Sequence, residues 1–319
     1  MDARPLKIGI LGLGNMGKNH LRILSLLRSV DIQYVYDTNP ECLRAMAAQY
    51  GVLAVDEVPL DFGGVEALFV LTPTSTHMEY VERAMGTVPY IFVEKPLTGH
   101  VDDTRTIVER IRAGGTFVQV GFIERFNPAV QVLKSLNCDE HGIINIDFTR
   151  TSKMSSRISD VGVVTDLMIH DIDLAIYLNG PVETIVAHGA ASNGFVDFAS
   201  AMLVHSTGAL SRLLASRITE KKRRLIEVTC MDKFVSCDLL RKEVFINMQS
   251  VSSKRKTNYV VASAEETVLV SQQEALLNEI TSFIAACNEN DFTGVPTAND
   301  DLTVMEIADE IQQQIMRGQ

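Results

Sequence analysis

The chain has 319 residues, a formal net charge of −11, and ordinary hydrophobic (46%) and charged (22%) contents, which suits about two globular domains, each able to bury its own core. So acidic a chain argues against nucleic-acid binding, which needs a concentrated positive face, and no run approaches the ~18 apolar residues of a membrane span. Cys42, Cys138, Cys230, Cys237 and Cys287 show no CxxC or paired spacing; neither a zinc site nor a disulfide framework is expected, and with no signal-peptide pattern the expectation is a cytoplasmic protein.

Lys7–Gly12 reads as an apolar strand entering a glycine turn. A helix follows over Asn15–Leu27, with Met16, His20, Ile23, Leu24 and Leu27 at helical spacing. Ile32–Tyr36 is a second strand ending at Asp37, and Pro40–Tyr50 a helix capped by Asn39 or Thr38. The strand Ala67–Leu71 is closed by Thr72-Pro73; helical sequence runs to Met85. Tyr90–Val93, a helix over Val101–Ala113, and Phe117–Val120 complete the pattern. Uniformly apolar strands alternating with helices predict a parallel sheet covered on both faces.

Beyond about residue 121 the rhythm changes. Ile144, Ile146 and Phe148 alternate with Asn145, Asp147 and Thr149, as in a sheet with one wetter face. Further strands are predicted near 183–190, 196–205, 208–217, 223–231, 234–239 and 243–248, with a helix over Thr165–Leu178 and terminal helices over Gln272–Asn288 and Asn299–Met316. The expectation is an α/β chain: a doubly wound parallel sheet in residues 1–122, and an α+β domain with a large, mostly antiparallel open sheet in 123–319. The C-terminal helices are free to pack back on the first domain.

Gly12-Leu13-Gly14-Asn15-Met16-Gly17 is a GxGxxG that follows a strand, opens a helix, and has Asp37 twenty residues beyond Gly17. That context predicts a Rossmann dinucleotide site. Gly12 allows the tight turn, Gly14 lets the backbone approach the pyrophosphate, and Gly17 lets helix and strand pack closely. The helix N-terminus attracts phosphate. Asp37 is suited to the adenosine ribose hydroxyls and repels a 2′-phosphate. With Thr-Asn-Pro at 38–40 no adjacent cation compensates, so NAD is favoured over NADP.

Two further segments fall at the carboxyl edge of that sheet, where open α/β folds bind ligands: Thr72-Pro73-Thr74-Ser75-Thr76-His77 and Glu94-Lys95-Pro96-Leu97. A partly desolvated Lys95 there can exchange protons with a substrate hydroxyl, and Pro96 fixes the turn in a form that can be cis. On the predicted helix Thr165–Leu178, Asp166, His170 and Asp173 fall on one stripe. A histidine between two carboxylates suits general acid–base work. A metal site on the same triad is the competing reading; no metal is expected, because hydride transfer to a nicotinamide needs none when a base is present.

These motifs occur in order with Gly121-Phe122 and Arg125-Phe126-Asn127-Pro128-Ala129. The ordered set, spanning the chain, resembles the Gfo/Idh/MocA oxidoreductase family. The resemblance implies oxidation or reduction of a sugar or cyclitol hydroxyl by NAD(P), and a C-terminal sheet through which a homodimer or homotetramer forms. It implies catalytic roles for Lys95, Asp166 and His170. It adds cofactor contacts from Gly12, Gly14, Asn15, Met16, Gly17, Asp37, Thr72, Pro73, Thr74, His77, Glu94 and Lys95. Substrate contacts are expected from Lys95, Arg125, Asn127, Asp166, His170 and Asp173. The chain departs from the family pattern at Met168, where relatives usually carry glycine; a bulkier side chain there is expected to narrow the site or move the nicotinamide. The stretches 163–174 and 215–224 resemble members that oxidise UDP-N-acetylglucosamine at carbon 3. A diphosphate needs cations, which Lys221, Lys222, Arg223 and Arg224 offer; Lys254-Arg255-Lys256 reads as an exposed loop. The alternatives are a free sugar or inositol as substrate, and a non-catalytic NAD-binding sensor.

Overall fold

The apolar runs that alternate with helices assemble as one parallel sheet. The computed structural model describes residues 4–136, 142–153, 161–255 and 258–318, without the side chains of 249–255 and 258–263; Cys138 and the basic side chains at 254–256 therefore lie outside the described residues. The chain divides into two units, Met1–Ile123 with Ala275–Met305 and Glu124–Glu274 with Glu306–Gln319.

In the first unit β1 (Leu6–Leu11), β2 (Val30–Tyr36), β3 (Ala67–Val70), β4 (Tyr90–Glu94) and β5 (Phe117–Gly121) lie in the order β2-β1-β3-β4-β5, all parallel. Ala54 forms an isolated parallel bridge to Val35 outside β2, so the doubly wound order survives with its third strand shortened to one bridge. The helices α1 (Asn15–Leu24), α2 (Pro40–Tyr50), α3 (His77–Ala84) and α4 (Val101–Gly114) connect the strands. Asn39 caps α2, accepting from the Glu41 and Cys42 amides, and Gly51 ends it with φ +65°. The order reverses between β1 and β3, which opens a crevice at the carboxyl ends of the strands. The helix α7 (Ala275–Glu289) lays Leu276, Ile280, Phe283 and Ile284 into the core formed by Ile8, Ile10, Phe69 and Phe92.

In the second unit eight strands lie in the order β13-β12-β11-β10-β6-β9-β8-β7. They are β6 (Ile143–Thr151), β7 (Val182–Ser192), β8 (Phe195–His205), β9 (Leu210–Ser216), β10 (Arg223–Cys230), β11 (Lys233–Asp238), β12 (Glu243–Arg255) and β13 (Asn258–Val268). Only β6 and β9 pair in parallel. The strand β13 was not expected: its mixed sequence shows no alternation, and pairing with β12 supplies what the pattern does not. One sheet face buries Ile146, Phe148, Leu213, Ile226 and Val235, whereas Val186, Met202 and Phe234 are exposed. Two helices precede and follow β6, α5 (Pro128–Ser135) and α6 (Ile169–Asn179), and the last helix, α8 (Ala298–Arg317), runs from the first unit into the second.

Among the described residues Cys42, Cys237 and Cys287 are free. Among the described residues no helix is long and apolar enough to cross a membrane.

Candidate active site

The glycine turn is constrained by its own backbone. Gly12 has φ +91°, and a Cβ there would lie 2.6 Å from the Leu71 carbonyl. A Cβ on Gly17 would lie 2.0 Å from the Gly12 oxygen, while around Gly14 nothing comes within 4 Å. The turn is thus closed on its inner side and open at Gly14. The helix α1 starts at Asn15 with Gly14 as its N-cap and no side-chain cap bond, which leaves its first-turn amides available to an anion. Asp37 ties the turn to β2: Leu13 N–H donates to Oδ2 at 2.6 Å and Asn39 N–H to Oδ1 at 2.7 Å. Half-exposed, it retains lone pairs for ribose hydroxyls. An open cradle, uncapped amides and an acid at the next strand end fit a bound dinucleotide.

The loops after β3 and β4 reach the same edge of the sheet. Thr76 Oγ1 donates at 2.8 Å to Thr72 Oγ1 and the Pro73 carbonyl, closing a short 3-10 turn before α3. His77, expected among the cofactor contacts, turns inward instead. It is 1% exposed, with Nε2 2.8 Å from the Thr72 carbonyl and Nδ1 2.9 Å from that of Pro96. It ties the two loops together, because a ring with both nitrogens engaged has none left for a ligand. Lys95 is half-exposed and its bond to Pro96 is cis. Leu97 N–H donates to the buried Asp301 at 3.2 Å. Glu94 is only 13% exposed, its Oε1 3.7 Å from His20 Nε2. Burial pushes the Glu94 carboxyl up to about 7, against the opposing pull of Lys95.

In the second unit Asp166 and His170 are both half-exposed. The expected single helix is two segments: a π-helical turn over Val164–Met168 carries Asp166, and α6 begins at Ile169. Such a turn, one residue wider than an α-turn, is frequent at functional sites. Met168 is wholly buried.

Asp173 does not extend the polar stripe. It is 1% exposed, and Arg125 grips it as a fork, Nε to Oδ2 at 2.9 Å and Nη2 to Oδ1 at 2.6 Å. Two expected substrate contacts therefore satisfy each other, and the competing metal triad loses its third member. Asn127 is also buried; it caps α5 through Ala129 N–H at 3.1 Å and donates to Glu124 at 3.2 Å. A second fork lies beside the first. Arg150 grips Asp171 through Nε at 3.0 Å and Nη2 at 2.7 Å, and reaches Glu124 Oε1 through Nη1 at 2.9 Å. Arg224, opposite Arg150 across the strands, meets the same Oε1 at 3.0 Å. Burial alone would raise the Glu124 carboxyl; the two guanidiniums outweigh it and hold it below its ordinary range. Arg224 is thus already paired, whereas Lys221, Lys222 and Arg223 are exposed.

Sequence reasoning missed Glu124, Arg150 and Asp171. A signal was present at Arg150, which shares the buried face of β6 with Ile146 and Phe148, because a charge on a buried face requires a partner.

Two family models match: "Oxidoreductase family, NAD-binding Rossmann fold" over residues 6–122 and "GFO/IDH/MocA C-terminal domain" over 143–235. The chain is 26% identical over 283 residues, 88% of each chain, to UDP-N-acetylglucosamine 3-dehydrogenase of Acidithiobacillus ferrooxidans. A solved structure of an enzyme of that name and organism aligns with a TM-score of 0.86 and 25% identity, covering 99% of both chains. The chain is also 30% identical over 235 residues to scyllo-inositol 2-dehydrogenase (NAD(+)) of Bacillus subtilis, covering 66% of this chain and 67% of the relative.

Proposed function

This chain belongs to the GFO/IDH/MocA oxidoreductase family, and from that membership we propose that it oxidises, or in reverse forms, a secondary hydroxyl of a sugar with NAD as cofactor. A UDP-amino sugar reacting at carbon 3 is the substrate favoured. One observation carries the reading: Asp166 and His170 stay half-exposed while their neighbours Asp171 and Asp173 are consumed in buried forks. The helix offers to substrate only the two groups suited to hold a hydroxyl and take its proton.

The glycine turn and the α1 amides would hold the pyrophosphate and Asp37 the adenosine ribose. Asp37 without a cation at 38–40 favours NAD over NADP. When bound, the nicotinamide supplies the hydride acceptor. Asp166 orients the substrate hydroxyl or the base, and His170 or Lys95 accepts the hydroxyl proton. Arg125, Asn127, Asp173 and His77 serve by fixing the backbone of the elements that carry these groups.

The UDP-amino sugar is supported by similarity to a named enzyme of that activity along nearly the whole chain and by exposed Lys221, Lys222 and Arg223 as diphosphate partners. Similarity to the inositol dehydrogenase favours a neutral polyol as second reading. A thermal-shift screen with NADH present, against nucleotide sugars, free sugars and cyclitols, tests the choice, because a true ligand stabilises by mass action. Lys222→Ala with Arg223→Ala should abolish a UDP-sugar shift and leave an inositol shift intact. We further propose that the exposed apolar sheet face, with Val186, Met202 and Phe234, is covered by a second copy of the chain.

A further inference from the structure

Beneath Lys95 lies a polar pair that no step above uses. His20, on α1, is wholly buried, its ring against Phe69 and Phe92 with centroids 6.1 and 5.2 Å away. Its Nδ1 lies 3.0 Å from the Met16 carbonyl oxygen. A carbonyl only accepts, so Nδ1 carries the hydrogen, and the neutral ring presents a bare lone pair at Nε2. That Nε2 has no hydrogen-bond partner and faces Glu94 Oε1 at 3.7 Å. The other Glu94 oxygen sits over Gly121, where a Cβ would come within 3.3 Å of it.

Apart from the Lys95 ammonium and its backbone N–H, which favour a charged Glu94, the surroundings offer little to hold a charge. Phe69, Phe92 and Phe283 pack as a cluster. On β5, Gln119 pairs in register with Phe92 and is buried with both amide atoms unpartnered. Lys95 is next in the chain, and Glu279 is buried one turn before Phe283 on α7, the helix whose Phe283 packs on this cluster. Burial lowers His20 to about 4, against the Met16 carbonyl, and pushes Glu94 up to about 7. Both groups favour their neutral forms, and a neutral carboxyl has one O–H to donate. The acceptor that faces it is Nε2.

We infer that Glu94 keeps its proton and, by a small side-chain approach that closes the 3.7 Å gap, donates it in a hydrogen bond to His20 Nε2, so that His20 is a positioning residue holding the acidic neighbour of Lys95 uncharged. The consequence for catalysis rests on the reading of Lys95 as a proton acceptor. With Glu94 uncharged, the ammonium lacks an adjacent anion to retain its proton, and Lys95 is the better base. No bond to carbon or to cofactor is involved; the proton stays on Glu94 until the pH passes its midpoint.

Infrared difference spectra of the full chain, titrated in pH, read a buried neutral carboxyl by its C=O stretch, and Glu94→Gln assigns the band. The expected midpoint is about 7. His20→Asn keeps a donor for Met16 and deletes the Nε2 acceptor, so the midpoint should fall by about one pH unit. His20→Gln, which returns an acceptor near that position, should recover most of the shift. In the wild type, ¹⁵N spectra should show His20 protonated at Nδ1 with Nε2 accepting a hydrogen bond, which needs no variant to fold. A band absent at pH 6, an unmoved midpoint in His20→Asn, or a free Nε2 would each overturn the inference. None of these readouts needs turnover. If the band moves while the rising limb of kcat/KM against pH stays put, the role of Lys95 fails and the pair stands.

Discussion

Gly14 and Gly17 sit three residues apart with opposite surroundings, one open and one in van der Waals conflict with any side chain. Gly17→Ala should lower both the melting temperature and NADH affinity, because backbone must move. Gly14→Ala should melt near the wild-type temperature and lose at least about tenfold in NADH affinity, its methyl filling ligand space. Fluorescence titration of NADH and thermal melts decide between these outcomes. The glycines were legible in the sequence because a turn admits few residues; the inward ring of His77 was not, since the pattern fixes its loop and not its rotamer. His20 and Glu94 give a second contrast. His20, lowered from 6.5 to about 4, contributes stability that is full above pH 6.5 and lost as pH falls toward 4. Glu94, raised from 4.5 to about 7, contributes stability that is full below pH 4.5 and lost as pH rises through 7. Between pH 4.5 and 6.5 the folded pair holds one proton on Glu94 and the unfolded chain one on His20, so the slopes cancel. Removing one partner unmasks the other. Urea melts between pH 5 and 6.5 should show Glu94→Gln losing stability toward acid and His20→Asn losing it toward base, each by roughly 1 kcal/mol per pH unit relative to wild type. Parallel curves would contradict the linkage.

The helix α6 is held by two arginine forks that its own sequence does not contain. Arg150 comes from β6 and Arg125 from the turn before α5, and each buries one of the two aspartates that follow His170, Asp171 and Asp173. Arg150→Met strands Asp171 in an apolar setting and should cost about 3–5 kcal/mol of unfolding free energy. Arg150→Met with Asp171→Leu should recover much of that loss, because Glu124 keeps Arg224. Equal destabilisation by the single and double variants in urea melts would show that the fork does not act as a unit. Apolar periodicity located α6 to within a few residues. It missed the π turn, since a period of one extra residue over a single turn leaves no trace in composition, and it missed β13, whose mixed sequence without alternation is a strand paired with β12.

Across the whole molecule, the alternation of apolar runs and helices was enough to read a parallel sheet followed by a mostly antiparallel one, because burial on two faces and on one face leave different patterns. Strand order and the return of α7 to the first core depend on long-range contacts that local pattern does not encode. The exposed face of the larger sheet carries the quaternary expectation. Met202→Glu with Phe234→Glu should convert an oligomer to monomer in sedimentation without loss of helix or strand content; a monomeric wild type would refute the proposed pairing. The central chemical claim is tested most directly by initial rates of NADH formation with the sugar that the thermal-shift screen selects. Wild type, Lys95→Ala and His170→Ala would be compared beside their NAD dissociation constants. Both variants should lose about 10²-fold or more in turnover while binding NAD nearly as the wild type does. Wild-type turnover in both would contradict the assignment of the proton acceptor to either residue.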